Sequence, residues 1–231
     1  MIGREKNNGG AMFIGHFGVA FAAKRVVPEV KLGTAILAAT FLDLLWPFFV
    51  AAGIEVVKIV PGNMEFSPLR FVSYPFSHSL VMALLWGGLF ALAYVALGGS
   101  RRAAFWMGLL VVSHWFLDLI VHEPDLQLFP ELDIYVGLGL WDSIGGTLLV
   151  EGGLFVVGVW LYLSATRARD AAGVWGLWGL VLLLVVSYVG VVIGPPPHNV
   201  STIVITAIVG IAVSVIWAYW LERHREPKAS G

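Results

Sequence analysis

The chain has 231 residues, 58% hydrophobic and 13% charged, with a mean hydropathy of +0.85 and a formal net charge of −1. Such a composition excludes a water-soluble domain, and the near-neutral charge excludes bulk electrostatic attraction to nucleic acid, so no nucleic-acid partner is expected. With no cysteine, there is neither a disulfide framework nor a thiolate metal site.

Apolar runs long enough to cross ~30 Å of hydrocarbon fall at about 11–27, 31–54, 76–98, 102–121, 143–163, 173–193 and 200–221. The stretch before them, Met1 to Gly10, lacks the apolar core and cleavage site of a signal peptide, so segment 1 itself is expected to target the chain. Segment 1 is the weakest, because Lys24 and Arg25 shorten its apolar part and would have to snorkel to the headgroups. Gly87, Gly88, Gly152 and Gly153 suit close helix packing in lipid. The expected fold is an all-α integral membrane protein, a bundle of about seven transmembrane helices, or about six if segment 1 is re-entrant. It forms one transmembrane domain over 1–231: residues 1–125 carry segments 1–4, 126–221 carry segments 5–7, and 222–231 form a tail.

Orientation follows from the connections. If all seven segments span, one set of loops holds Lys24, Arg25, Lys31, Arg101, Arg102, Arg167, Arg169, Arg223, Arg225 and Lys228. The opposite set holds only Arg4, Lys6, Lys58 and Arg70. The positive-inside rule then places the N-terminus outside and the C-terminus in the cytoplasm of a multi-pass cell (inner) membrane protein. The two sizeable loops, 55–75 and 122–142, and the Gly194-Pro195-Pro196-Pro197-His198 turn lie on the external side.

Five ionisable side chains inside or at the mouths of these segments converge on that side: His16, Asp43, His78, His114 and Asp118. At ~1.5 Å per residue, His114 and Asp118 lie roughly 18 and 24 Å along segment 4, and their i, i+4 spacing puts both on one helical face. Ionisable groups in hydrocarbon are costly and mark functional sites by default. Three imidazoles with two carboxylates form a ligand set that zinc, manganese or iron would accept.

Each residue also has an ordinary reading. His114 and Asp118 could be a hydrogen-bonded pair joining helices, and Asp43 could serve backbone groups freed by a kink at Trp46-Pro47. The serines beside His78 could simply cap a helix, and His16 could be interfacial. Further candidates are His122, which continues the i, i+4, i+8 stripe, and Asp125 after the Pro124 turn. Asp142 reads first as the N-cap of segment 5, while Glu151, two turns deeper, must be protonated or paired.

The ordered set His16, Asp43, Phe76-Ser77-His78-Ser79 and Ser113-His114…Asp118 resembles the YdjM-type membrane-bound metal-dependent hydrolases, over roughly residues 11–125. The resemblance implies a distant relation to zinc-dependent phospholipases C and single-strand nucleases, whose helical His-x-x-x-Asp element is similar to His114…Asp118. Some of those relatives carry a His-Ser-Val-Trp-Asp-Ser stretch. Leu140-Trp141-Asp142-Ser143 looks like its second half, with Leu138 in the place of the histidine, so one ligand of a three-metal cluster would be lost.

The function expected from all this is a membrane-embedded metal-dependent hydrolase, with one or two zinc ions (or manganese or iron) held by His16, Asp43, His78, His114 and Asp118. Such a metal would lower the pKa of bound water toward ~7 and polarise the scissile bond, with Asp118 or Asp43 as bridging carboxylate or base. A phosphodiester or phospholipid-like substrate from the surrounding lipid is the expected partner. The rival readings are a scaffold stapled by a metal and a metal-ion or small-solute transporter. A scaffold calls for a closed coordination site, and a transporter for polar groups through the cytoplasmic half.

Overall fold

The computed structural model describes residues 14–228. Arg4 and Lys6, which entered the loop count, and the last three residues of the expected tail lie outside the described residues. The protein is mainly helical, and its helices fall on the seven apolar runs: α1 (Ile14–Ala23), the pair α2 (Leu32–Ala39) and α3 (Phe41–Ala51), α5 (Leu80–Ala96), α6 (Arg101–Val121), α7 (Ile144–Ala165), α8 (Ala171–Ile193) and α9 (Val200–Leu221). A single-turn helix, α4 (Pro75–His78), precedes α5. The helices α6 to α9 are each long and apolar enough to cross a membrane, and α2 with α3 makes a fifth if the bent pair is one span. Among the described residues α1 has 10 residues and α5 has 17, so α1 rises only ~15 Å, half of a ~30 Å hydrocarbon layer.

The outer faces of α7, α8 and α9 are apolar and exposed, with Leu149, Val156, Leu182, Ile193, Ile205 and Ile216 each more than half exposed. A continuous girdle of that kind suits hydrocarbon and not water, which makes the chain a membrane protein. Its core is built around α1, whose Phe17, Ala20 and Phe21 are fully buried, and which packs against α2, α6 and α7.

Small residues set the closest crossings, though not all those expected from the sequence. A Cβ on Gly18 would stand 2.7 Å from the Leu154 carbonyl oxygen, and one on Gly158 would collide with the Gly18 carbonyl. In the same way Gly87 of α5 faces Gly108 of α6. Gly88, Gly152 and Gly153 face open space, so of the four expected contact glycines only Gly87 serves that role.

Two local expectations are corrected. The bend in segment 2 is 53° and lies at Thr40, between α2 and α3, about two helical turns before Pro47. Thr40 turns its hydroxyl onto the Ile36 carbonyl, competing with the backbone ladder at the break, while Pro47 is accommodated inside α3. Lys24 does not snorkel: its side chain is 2% exposed, and its ammonium donates to the Pro28 and Val30 carbonyls and to Glu222 Oε2. Three donors and three acceptors satisfy the charge where it stands.

Three two-stranded antiparallel sheets finish the ends of the bundle. At one end β5 (Thr166–Ala168) pairs with β6 (Arg225–Pro227), and Glu226 accepts from Arg167 and Arg169. Residues 225–227 of the expected tail are therefore clasped to the α7–α8 connection. Arg102 reaches the Val26 carbonyl at this same end, which gathers the basic residues. At the opposite end lie β1 (Val56–Ile59) with β2 (Leu69–Ser73), and β3 (Leu126–Gln127) with β4 (Tyr135–Val136). The site sits beneath this second end.

Candidate metal centre

Four helices deliver the polar groups. His16 comes from the first turns of α1, Asp43 from α3 just after the Thr40 break, His78 from the end of α4, and His114 and Asp118 from one face of α6. His16, His78, His114 and Asp118 are buried, and the Asp43 side chain keeps 28% of its exposure. All five expected core residues are thus brought together.

Asp118 is central. Its Oδ1 accepts a hydrogen bond from His16 Nε2 at 3.2 Å, and its Oδ2 lies 3.1 Å from His114 Nε2 and 3.7 Å from His78 Nε2. Asp43 Oδ1 is 3.6 Å from His114 Nε2 and 3.7 Å from His78 Nε2. The separations of 3.6 and 3.7 Å are too long for hydrogen bonds. They match the ~3.3 Å edge of a tetrahedron with bonds of ~2.0–2.1 Å to a zinc-like ion better than they match a hydrogen-bonded network. Two overlapping groups, His16–His114–Asp118 and Asp43–His78–His114, each have ligand atoms within 4.8 Å of one another and could hold a metal ion. The rings of His16 and His114 stack in parallel at 3.7 Å, so their ring-plane lone pairs run side by side.

The second ring nitrogens decide what these imidazoles present. His114 Nδ1 donates to the Ala39 carbonyl at 2.8 Å, a carbonyl freed by the α2–α3 break. His78 Nδ1 donates to Ser77 Oγ at 2.6 Å, and that hydroxyl donates in turn to Glu55 Oε2 at 2.7 Å. Both rings therefore turn an Nε2 lone pair toward the carboxylates. Among the described residues no hydrogen bond reaches His114 Nε2 or His16 Nδ1, although both are buried. Lone pairs facing carboxylate oxygens repel unless a proton or a cation lies between them. With neutral imidazoles the pocket carries two negative charges, which a divalent ion would balance.

Glu55 is the residue that the sequence reading missed. It stands just past the end of α3, 2% exposed, and its Oε1 accepts the backbone N–H groups of Phe76 and Ser77. Burial raises its carboxyl above the ordinary value, against the opposing hydrogen bonds from Ser77. A single acid at the border of an apolar run was the available signal. Ser79, not Ser77, is the capping serine: it accepts from Met82 N at the start of α5, while Ser77 serves the imidazole.

The four additional candidates do not join the centre. α6 ends at Val121, and His122 turns to an extended conformation (ψ 147°), which breaks the expected i+8 stripe. Its Nδ1 meets Asp125 Oδ1 at 3.0 Å, and Tyr74 donates to the same oxygen at 2.7 Å. Burial works to lower the His122 pKa, but the Asp125 carboxylate outweighs it and holds the imidazole above its ordinary value. Burial beside Asp125 drives the Tyr74 hydroxyl well above its usual range. Asp142 is exposed in a 3₁₀ turn (Leu140–Asp142), and the N-cap of α7 is Ser143, which accepts from Gly146 N. Glu151 is fully buried in α7, on the side of Tyr188 and apart from the ligand groups.

The centre opens on one side. Asp43 lines a cavity of about 430 Å³ that runs between α3, α8 and α9. Toward the basic end the core closes: Phe21, Ala35, Ile36, Met107 and Val111 are all fully buried. No protein-family model matches the chain, nor does any curated protein or solved structure.

Proposed function

We propose that this membrane protein is a metal-dependent hydrolase of the YdjM type, acting on a phosphodiester in a phospholipid-like substrate. The observation that carries the reading is the buried acceptor surplus: two carboxylates and the Nε2 lone pairs of His78 and His114 face one another, with only His16 Nε2 donating to Asp118 and, among the described residues, no lysine or arginine between them. When bound there, a zinc-type ion supplies Lewis-acid polarisation of the scissile bond and activation of water. Asp118, which meets three imidazoles, holds the ligand set together. Asp43, the least buried of the five, would take a proton from the attacking water. The water oxygen forms a new bond to phosphorus, the ester P–O bond breaks, and the proton passes to the departing alkoxide. Glu55 and Ser77 hold His78 in the tautomer that leaves Nε2 free.

A transit site is less well supported, because the apolar plug below the centre offers an ion no polar route to the basic end. A structural staple is less well supported because Asp43 faces a cavity, which leaves an approach for water and substrate. The positive-inside rule assigns the basic end to the cytoplasm of the inner membrane and the centre to the external face.

Metal content of the detergent-purified protein, measured by mass spectrometry, tests the reading beside His114→Ala and Asp118→Ala. The expected result is one or two zinc or manganese per chain, lost in both folded variants, with phosphodiester-lipid hydrolysis lost in parallel. Absence of bound transition metal after reconstitution overturns the reading in favour of a hydrogen-bonded polar core.

A further inference from the structure

The 430 Å³ cavity falls within the ~300–1,000 Å³ range of small-ligand sites, and its walls argue for one kind of occupant. It runs from Pro195 and Pro197 in the α8–α9 turn to Ile211, about 16 Å down α9 at ~1.5 Å per residue. Asp43 and Ser187 aside, its lining is apolar even where the residue names are polar. Thr206 gives its hydroxyl to the Thr202 and Ile203 carbonyls, Thr202 gives its own to Asn199, and Thr40 gives its own to Ile36. With those hydroxyls turned away, methyl groups face the space. Two of the lining residues are glycines, Gly190 and Gly210, and a Cβ added to either meets no heavy atom within 4 Å. Neither is required for helix packing, and both border the space.

One charged atom group lines this apolar passage, the Asp43 carboxylate of the metal centre. The other face of α9, with Ile205 and Val209, is exposed to lipid. We infer that the cavity between α3, α8 and α9 receives a single hydrocarbon chain of a membrane lipid and holds the lipid's polar ester at Asp43. A compact water-soluble substrate would leave this long apolar passage unused. The inference rests on the hydrolase reading for the chemistry, and on the passage alone for the chain. A side chain that fills the passage therefore discriminates by tail length and not by headgroup.

The test is photolabelling in phosphatidylglycerol vesicles doped with a phosphatidylcholine that carries a mid-chain diazirine, followed by peptide mapping. Four forms of the full chain are compared: unmodified, Gly190→Leu, Gly210→Leu and Asp118→Ala. Label is expected on the passage face of α9, at Thr206, Ala207 and Ile211, in excess of that on the lipid face at Ile205, Val209 and Val213. Either leucine variant should lose the passage label and keep the outer label, while Asp118→Ala keeps both. Passage label no greater than outer label, or unchanged by both leucines, overturns the inference. Hydrolysis of a short-chain soluble phosphodiester separates the two readings. If it persists while the passage stays unlabelled, only the tail site has failed. If neither it nor a phosphodiester lipid is hydrolysed while the passage is labelled, the tail site stands and the hydrolase reading has failed.

Discussion

Removing the Ser77 hydroxyl tests whether the chain Glu55–Ser77–His78 tunes a ligand or merely fills space. Ser77 is fully buried, and its Oγ stands 2.7 Å from Glu55 Oε2 and 2.6 Å from His78 Nδ1. Ser77→Ala leaves both atoms without that partner, at ~1–3 kcal/mol for each buried group left unsatisfied. The imidazole is then free to rotate or to change tautomer, and loss of such an outer partner typically weakens metal binding ~10–100-fold, or ~1.4–2.7 kcal/mol. Zinc titration of the chelated protein in detergent, read by competition with a fluorescent chelator, should show that weakening, with Asp118→Ala binding far more weakly still. Ser77→Thr, which keeps the hydroxyl, should restore affinity. Because the three residues act as one unit, Glu55→Gln combined with Ser77→Ala should cost less than the sum of the two single changes. Lower thermal stability in Ser77→Ala with unchanged zinc affinity would falsify the tuning role and leave Ser77 as packing.

Three more outcomes follow from the geometry. Lys24→Met removes the cation from a pair whose partner Glu222 is 15% exposed, and should destabilise the detergent-solubilised protein by ~3 kcal/mol or more. Adding Glu222→Gln should recover part of that loss; a double variant no more stable than the single one refutes the pairing. Gly18→Ala drives a Cβ to 2.7 Å from the Leu154 carbonyl oxygen and should cost ~1–3 kcal/mol. By contrast Gly152→Ala meets open space and should be neutral or gain up to ~1 kcal/mol of helix propensity, both read from thermal melts. His122 has a raised folded pKa, so its pairing with Asp125 stabilises fully below its unfolded value of 6.5 and is lost as pH rises through the folded value. The melting difference between the unmodified chain and His122→Gln should accordingly be widest below pH 6.5 and shrink above it; a difference that does not vary with pH contradicts the assignment.

What could be read from the sequence divides along physical lines. The helices were legible because hydrocarbon imposes one rule, long apolar runs, and the observed α6 and α9 begin and end within a residue of the expected bounds. The five central residues were legible because a polar group in such a run stands out and the up-and-down path forces them to one end. Features that depend on three-dimensional partners were not. Lys24 reads as a snorkelling residue until Glu222, 198 positions later, is folded beside it. Pro47 reads as the kink, yet the break falls at Thr40, where it frees the Ala39 carbonyl that orients His114. The i+8 extrapolation to His122 failed because a helix ends where its backbone turns, and no residue near Pro124 announces that the turn comes one position after Val121. Glu55 was passed over because a lone acid in a loop is ordinarily solvated, and only the fold returns Ser77 to it.

The chain contains its own control for the reading of the His/Asp centre. At the basic end, Lys24, Glu222, Tyr162, Arg225 and Thr166 form a second buried polar group. Lys24 uses its ammonium on two carbonyls and Glu222, and Arg225 spreads its guanidinium over Thr166 and the Gly173 carbonyl. The Arg225 guanidinium also lies 5.3 Å from the centre of the Tyr162 ring. This polar cluster therefore brings its own cations and satisfies their donors, as burial demands. The other end does the reverse. Its His/Asp cluster assembles two carboxylates, aims imidazole lone pairs at them and fixes two of those rings from behind, and among the described residues no lysine or arginine pairs with either carboxylate. If the His/Asp cluster served only to join helices, a lysine or arginine in place of any one histidine would do the work with fewer unmatched atoms. The surplus of acceptors is costly unless a proton or a metal cation completes it, and that asymmetry between the two ends of one molecule is what makes the centre a candidate metal site.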